Sequence, residues 1–360
     1  MQKPFYDPSK SYEFNYKYGP FGGFKIQSSK CKKVSTQIKK LEPKFDLFGH
    51  KLYLPFGIPA GPLINSNFVA AGFKNNFDVC VYKTVRTKEY PCHKAPNILA
   101  VHVKNLKPDR KSALIADTNY SQPLSITNSF GVPSTSPKIW QHDMQNAVKS
   151  AQKGQVLIGS FQGTTNESGS INDYINDFVL ASQLVKETGA QILEANLSCP
   201  NEGGSNLLCF DTKKTTQIVK EIKKAIGKNT PLIIKMAYFE NDNKLEEFVN
   251  SVAEYIDGIS AINTIPAKII NSEHEQALPG FGRSKSGVCG SAISWAGLKM
   301  VDRLLKIRKK NKYDYKIIGV GGVTNKDDYY SYINKGADVV MSATGAMWNT
   351  DLANMIERKK

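Results

Sequence analysis

Short apolar runs alternate with segments of helical spacing from about residue 50 to the end of the chain. Eight of these runs are rich in Ile, Val or Leu and have the length of strands that are buried on both faces. They span residues 54–60, 79–84, 156–161, 191–196, 232–236, 257–263, 316–320 and 338–343. This pattern predicts eight buried strands.

Segments with a helical period separate several of these runs. Residues 172–187, 215–225 and 245–255 each carry a broad apolar face, and residues 294–307 begin with Ser294 as a candidate cap and end in Lys and Arg. Strands that alternate with helices predict a parallel sheet. Eight units favour an α/β fold closed into a (β/α)₈ TIM barrel. An open doubly wound sheet is the alternative, although no G-x-G-x-x-G opens a helix after the first strand.

Residues 1–45 are polar and contain Tyr, Phe, Gly and Lys without a clear period. They predict an N-terminal extension that wraps on the body or is partly mobile. No Gly/Ser-rich or Pro-rich linker divides the remaining chain, so residues 46–360 are predicted to form one catalytic barrel domain. A barrel of this type takes roughly 250 residues, and more with insertions.

Composition narrows the class of protein. No apolar run of about 18 residues occurs, and the N-terminus lacks the apolar centre of a signal peptide, so we expect a soluble, cytoplasmic protein without membrane contact. The six cysteines form no C-x-x-C pair, which argues against a metal or an iron–sulfur cluster in this chain. The net charge of +16 comes mostly from lysine. The sequence lacks the Arg-rich, aromatic-interleaved stretches that are typical of nucleic-acid-binding proteins, so we expect no nucleic-acid partner.

Polar residues close several of the predicted strands, where barrels carry their functional groups. Lys83 and Lys235 close the second and fifth strands, Asn196 closes the fourth and Asn263 the sixth. A lysine here either reaches solvent or is held against a ligand such as a reduced flavin or a substrate carboxylate. Asparagine amides suit the imide and carboxylate edges of a pyrimidine. The pattern predicts a ligand site at this rim.

Glycines close the last two strands. Gly321-Gly322 follows the seventh and Thr344-Gly345 follows the eighth. Glycine lets the backbone approach a ligand, and successive N–H groups can bind an anion. Because barrels often bind phosphate with these two loops, we expect a phosphate site there.

The string Asn196-Leu197-Ser198-Cys199-Pro200-Asn201 resembles the signature of dihydroorotate dehydrogenases of the soluble, cysteine-type class. Other motifs follow in the order of that family over most of residues 46–350. They are Phe56-Gly57-Ile58-Pro59-Ala60-Gly61, Tyr82-Lys83-Thr84, Asn128-Ser129-Phe130-Gly131-Val132-Pro133, Lys235, Asn263-Thr264, Ser286-Gly287-Val288-Cys289-Gly290, Gly319-Val320-Gly321-Gly322-Val323 and Ala343-Thr344. Phe130 stands where the family often has methionine, and Ala343 where it often has glycine.

The resemblance implies FMN on the C-terminal face of the barrel and Cys199 as the base that removes the C5 proton of dihydroorotate while hydride leaves C6 for the flavin. The cofactor-binding residues it implies are Ala60, Gly61, Lys83, Thr84, Asn128, Lys235, Gly287, Gly290, Gly321, Gly322, Ala343 and Thr344. The substrate-binding residues it implies are Lys83, Asn128, Gly131, Val132, Asn196, Asn201, Asn263 and Thr264. It also implies a homodimer.

Two other functions and the electron acceptor stay open at this point. A dihydropyrimidine dehydrogenase-like enzyme acting on uracil or thymine shares the barrel, the lysines and the N-L-S-C-P string, although Asn201 favours orotate. A basic binding protein on a retired barrel is less well supported, because Cys199, Lys83 and Lys235 are all present. Fumarate would need no further cofactor as acceptor, whereas NAD would need a partner chain that carries an iron–sulfur cluster.

Overall fold

The computed structural model describes residues 3–108, 112–165, 169–198, 207–280 and 283–358. Its strands are β1 (Phe45–Leu47), β2 (His50–Leu52), β3 (Phe56–Ile58), β4 (Val79–Val85), β5 (Ile98–Val101), β6 (Leu114–Asp117), β7 (Ser125–Asn128), β8 (Val156–Phe161), β9 (Ile192–Asn196), β10 (Leu232–Met236), β11 (Gly258–Ala261), β12 (Ile265–Ile270), β13 (Lys285–Gly290), β14 (Lys316–Val320) and β15 (Val339–Met341).

Its helices are α1 (Tyr12–Tyr18), α2 (Gly22–Lys25), α3 (Ser29–Ile38), α4 (Ser66–Lys74), α5 (Pro137–Ser150), α6 (Ile171–Glu187), α7 (Thr212–Ile226), α8 (Asp242–Val252), α9 (Ser294–Asn311), α10 (Lys326–Asn334) and α11 (Thr344–Trp348). Within the described part of the chain, no helix is both long enough and apolar enough to cross a bilayer.

Eight parallel strands close into a central barrel in the order β3-β4-β8-β9-β10-β11-β14-β15. Each connection between consecutive barrel strands contains a helix, from α4 after β3 to α10 after β14. These strands coincide with the eight predicted runs, although several are shorter at their ends. The predicted (β/α)₈ TIM barrel is confirmed, and the open sheet is excluded.

The barrel interior changes from apolar to polar along its axis. Near the strand starts, one buried cluster contains Val79, Val156, Ile192, Ile233 and Ile318, together with side chains from the β1–β2 hairpin. Two or four residues further along four of these strands, β4, β8, β9 and β10, where side chains again face inward, polar groups replace the aliphatic ones. Those polar groups are Lys83, Ser160, Glu194, Asn196 and Lys235. The polar half therefore lies at the C-terminal ends of the strands.

A second closed sheet stands beside the mouth of the barrel. Its strand order is β12-β13-β7-β5-β6, and it is built from insertions after β4 and after β11. The sequence did not predict it, although the link that follows Lys83 is long. Asn128 ends β7, and Gly287 and Gly290 belong to β13, so this sheet brings predicted site residues over the barrel.

The N-terminal segment contains α1, α2 and α3, which its aperiodic sequence did not predict. Phe5 and Tyr6 are buried in the same hydrophobic core as the outer face of the barrel. The Phe5 ring stacks on Phe24 at 4.3 Å, and the Phe5 N–H donates to the carbonyl of Met347 at 2.9 Å. Residues 3–45 thus pack closely on the body, while the assignment of 1–45 and 46–360 as separate units stays a prediction.

The predicted cap at Ser294 is wrong. A 3₁₀ turn over Ser291–Ile293 leads directly into α9, Ile293 occupies the capping position, and Ser294 is already the first helical residue. The preceding turn continues the chain into the helix, so the serine side chain has no capping geometry to fill.

Candidate active site

One cleft opens where the C-terminal ends of the barrel strands meet the second sheet. It holds about 1330 Å³ of empty space, counted out to its solvent opening. Every predicted site residue that the structure describes lines it: Ala60, Gly61, Lys83, Thr84, Asn128, Gly131, Val132, Asn196, Lys235, Asn263, Thr264, Gly287, Gly290, Gly321, Gly322, Ala343 and Thr344. Cys199 and Asn201 lie outside the described residues. The structure therefore brings the described set together, and the role of each residue stays a prediction.

Two lysines reach the cleft from different strands. Lys83 lies in β4 and Lys235 in β10, and only 7% and 6% of their surfaces are exposed. The Lys235 ammonium donates to the carbonyl of Ala60 at 3.4 Å. Burial lowers the pKa of Lys235, and the nearby Glu194 carboxyl and Cys289 thiol partly offset that fall. Neither lysine extends along the surface into bulk solvent, which favours a role inside the cleft.

A hydrogen-bonded polar row runs from the cleft lining at Thr84 into the barrel. Thr84 Oγ1 and Ser160 Oγ are 2.9 Å apart, and the Ser160 hydroxyl donates to Glu194 Oε1 at 3.1 Å. Burial raises the pKa of the Glu194 carboxyl, while Lys235 and the Ser160 and Ser260 hydroxyls act against that rise. Sequence reasoning did not single out Glu194. The available signal was an acid inside a strand that is otherwise apolar.

Asparagine amides fix the segment that leads to the Cys motif. Asn196 Nδ2 donates to Gln162 Oε1 at 2.9 Å, and Asn263 Nδ2 donates to the Ser198 carbonyl at 3.0 Å. Asn263 Oδ1 accepts the Thr264 N–H at 2.9 Å, which sets the orientation of the side-chain amide. Ser198 is the last described residue before Cys199. These bonds anchor the start of the predicted catalytic loop to the ends of β8 and β11.

The Cys289 thiol lines the cleft and was not predicted as a site residue. Cys289 lies in β13, where its Sγ accepts from Thr344 Oγ1 at 3.3 Å and from Asn128 Nδ2 at 3.5 Å. Burial raises the pKa of this thiol. A neutral thiol therefore connects the amide at the end of β7 with the first residue of α11.

Glycine conformation shapes the part of the cleft near the last two barrel strands. Gly321 and Gly322 have φ angles of 130° and 71°, which lie in the region that favours glycine. Gly61 has φ 134°, and a Cβ built on it meets no protein atom within 4 Å, so this position faces open space. A flat or anionic ligand can approach the backbone closely at these positions.

Aromatic residues of the N-terminal segment line the cleft or support its lining. Tyr6 lines the cleft, and its ring packs edge-on against Phe130 with centroids 5.7 Å apart. Tyr12 contacts the same Phe130 ring at 6.2 Å. Phe130 belongs to the loop predicted to hold the substrate, so residues near the N-terminus support this loop. Two aromatics in an aperiodic segment gave no sequence signal for such a role.

Comparison with known proteins agrees with this geometry. Residues 114–359 match the family model described as dihydroorotate dehydrogenase. The chain is 34% identical to dihydroorotate dehydrogenase of Dictyostelium discoideum over 98% of this chain and 96% of that relative. It is 30% identical to the catalytic subunit of dihydroorotate dehydrogenase B (NAD(+)) of Petrotoga mobilis over 56% of this chain and 62% of that relative. For the corresponding subunit of Brachyspira hyodysenteriae, identity is 26% over 79% of this chain and 88% of the relative. With the barrel and the lined cleft, these matches show that the chain belongs to the dihydroorotate dehydrogenase family.

Proposed function

We propose that this chain oxidises dihydroorotate to orotate, a step of pyrimidine biosynthesis, with FMN as its cofactor. The observation that carries the proposal is the convergence of two buried lysines and three asparagine amides on one cleft, in a chain of this family. The same cleft has an apolar lining and an open glycine-lined end, which suits a planar ring system with a phosphate tail.

The described residues fit FMN by their chemistry. Gly61 leaves room that any side chain would fill, and Gly321-Gly322 offers backbone N–H groups for a phosphate. Lys83 and Lys235 supply positive charge where a reduced flavin develops negative charge. When bound, the flavin supplies the hydride acceptor. Ala60, Thr84, Gly287, Gly290, Ala343 and Thr344 complete the proposed cofactor set.

The substrate is proposed to lie between the cofactor and the asparagine amides. Asn128, Asn196 and Asn263 present donors and acceptors for a carboxylate and an imide, and Lys83 adds a positive charge. Gly131, Val132 and Thr264 line the same region, and Asn201 completes the set by family resemblance. Cys199 is proposed to remove the C5 proton, since only its thiolate form can act as the base.

An anaerobic spectrum tests the activity and its closest alternative together. The protein, reconstituted with FMN, is mixed with dihydroorotate in one sample and with dihydrouracil in another. We expect the flavin absorbance to bleach with dihydroorotate and to stay unchanged with dihydrouracil. Bleaching by dihydrouracil alone would reassign the enzyme to the dihydropyrimidine dehydrogenase type, and a protein that takes up no FMN would remove the flavoenzyme proposal.

Reoxidation of the bleached enzyme identifies the electron acceptor. Recovery of the oxidised spectrum on adding fumarate would show that the chain needs no partner. Several relatives are named as catalytic subunits of an NAD(+)-dependent enzyme, so NAD⁺ is tested with and without a candidate iron–sulfur partner chain. We further propose a cytoplasmic homodimer, which light scattering of the purified protein and localisation of a tagged chain can test.

A further inference from the structure

Glu194 is a carboxyl that lies inside the barrel, below the cleft rather than in its wall. It is fully buried, and its strand β9 pairs with β8 at Ser160 and with β10 at Ile233. Lys235 lies two residues beyond Ile233, on the same inward-facing row. Burying a carboxylate is unfavourable unless another group compensates. A buried carboxyl at this position therefore requires a specific compensating interaction.

Only one of the two carboxyl oxygens of Glu194 has a hydrogen bond of normal length within the described part of the chain. Ser160 donates to Oε1, whereas Oε2 has no hydrogen-bond partner among the described residues. The Ser260 hydroxyl, which belongs to β11 and pairs in register with Lys235, also makes no hydrogen bond of normal length in the described part of the chain, although it lies close enough to Glu194 to act against the rise of that carboxyl's pKa. The incomplete bonding and the neighbouring lysine point to an electrostatic role.

We propose that Glu194 is a positioning residue that keeps Lys235 in its ammonium form beneath the cofactor and thereby sets the reduction potential of the bound flavin. This inference rests on the proposed FMN-dependent function. Glu194 does not line the cleft, so it acts through Lys235 and not on the substrate or the cofactor directly.

The physical reason is the burial of Lys235. An amine out of water favours its neutral form, and a nearby carboxylate opposes that tendency. Lys235 lies in the cleft with 6% exposure, and the Glu194 carboxyl opposes its loss of charge more strongly than the Cys289 thiol does. A charged ammonium stabilises the negative charge of reduced flavin. Loss of the Glu194 carboxylate should therefore shift Lys235 toward its neutral amine, so the positive charge is lost although the lysine itself remains.

The test is Glu194→Gln, which keeps the shape of the side chain and removes its charge. In the FMN-loaded protein, we expect the equilibrium between reduced and oxidised flavin to shift about tenfold toward the oxidised form. For a two-electron couple this is a fall of about 30 mV in midpoint potential. Potentials are measured by spectral titration against reference dyes, so the readout does not depend on turnover.

Two backgrounds separate this role from general damage to the barrel. In Lys235→Met, no amine remains to be kept charged and the isolated carboxyl is expected to be protonated, so Glu194→Gln should leave the potential unchanged. In Lys235→Arg, the guanidinium stays charged without help, so Glu194→Gln should again have little effect. If Glu194→Gln does not fold, Ser160→Ala removes the hydrogen bond to the carboxylate and should lower the potential by a smaller amount.

Asp78→Asn is the matched control. Asp78 is a buried acid that lies 3.8 Å from the guanidinium of Arg358, and it precedes β4 at the end of the barrel away from the cleft. We expect this variant to be less stable and to retain the wild-type potential.

Three results would overturn the inference. They are an unchanged potential in Glu194→Gln, a rise instead of a fall, and an equal fall whether residue 235 is the wild-type Lys, Met or Arg. These outcomes are distinct from failure of the proposed function. A wild-type protein that does not bind FMN or is not bleached by dihydroorotate refutes that function before any Glu194 variant is measured.

Discussion

The side-chain amide of Asn263 donates to both oxygen atoms of Ser198, at 3.0 Å to the carbonyl and 2.9 Å to the hydroxyl. Asn263 follows β11, and Ser198 follows β9, so these bonds cross over β10 and join two strand ends. The next residue after Ser198 is Cys199. The residue that precedes the proposed base is therefore held by an amide that is itself proposed to bind substrate.

Asn263→Ala removes both bonds to Ser198 and one proposed substrate contact. We expect the rate of flavin reduction by dihydroorotate to fall at least about tenfold, since misplacing reacting groups is costly, while FMN stays bound. Stopped-flow absorbance measures the rate. Asn75→Ala is the control, because it removes a buried amide bond to the Ala71 carbonyl at the end of α4, away from the cleft. A rate in Asn263→Ala equal to that of the control would contradict the proposed coupling.

Cys199→Ala is expected to abolish flavin reduction by dihydroorotate without loss of FMN, and Cys199→Ser to retain a trace of it, because a hydroxyl is a poorer base. The ordinary pKa of a cysteine is about 8.5, and the thiolate is the active form, so the wild-type rate should rise as pH increases through that range. Single-turnover rates from pH 6 to 10 measure this. A flat profile would argue against a thiolate base.

Gly322→Ala tests the proposed phosphate end of the cleft. Gly322 has φ 71°, and an added Cβ would lie 2.5 Å from Cβ of Ser294. The backbone must shift, and we expect FMN affinity to fall roughly tenfold or more, or about 1.4 kcal/mol. Fluorescence titration of the apoprotein measures it. Gly336→Ala, with φ 97° and an added Cβ 2.5 Å from Cδ2 of Leu305, lies between α10 and β15 and should lose stability while keeping its affinity for FMN.

Phe5→Ala tests whether the N-terminal segment is part of the barrel domain. Phe5 is fully buried, stacks on Phe24 and bonds to Met347, which lines the cleft. Removing a buried aromatic ring costs about 3–5 kcal/mol, and we expect a single unfolding transition at lower temperature with weaker FMN binding. Phe14→Ala, at a ring that is 38% exposed, should have little effect. An unchanged melting temperature in Phe5→Ala would support a segment that is independent of the barrel.

The eight barrel strands could be predicted because each one is a short aliphatic run enclosed on both faces, and such runs are visible in local sequence. The second sheet could not be predicted in this way. Its strand β7 pairs with β13 more than 150 residues later, and β12 alternates buried and exposed residues as an ordinary surface strand does. Pairing over such a distance leaves no local periodic signal.

The described site residues were found because polar and glycine residues at barrel strand ends, in the order of a known family, converge by topology. Glu194 and Cys289 were missed for different reasons. Glu194 lies inside a strand, where sequence reasoning expected packing alone, and Cys289 reaches the cleft only through the second sheet. Tyr6 belongs to a segment without a period, so nothing in its neighbours indicated that it would support Phe130.

The two closed sheets that enclose the cleft restrict how ligands can enter and leave. Neither sheet can open without breaking its own strand pairing, because each is a closed barrel in which the last strand pairs with the first. Exchange of a bulky molecule is therefore expected to use the solvent opening of the cleft and the connecting segments that line it, such as the one containing Phe130, while the strand walls stay rigid. Changes in those segments should accordingly alter the rates of ligand uptake and release, while the barrel and the second sheet keep their strand pairing.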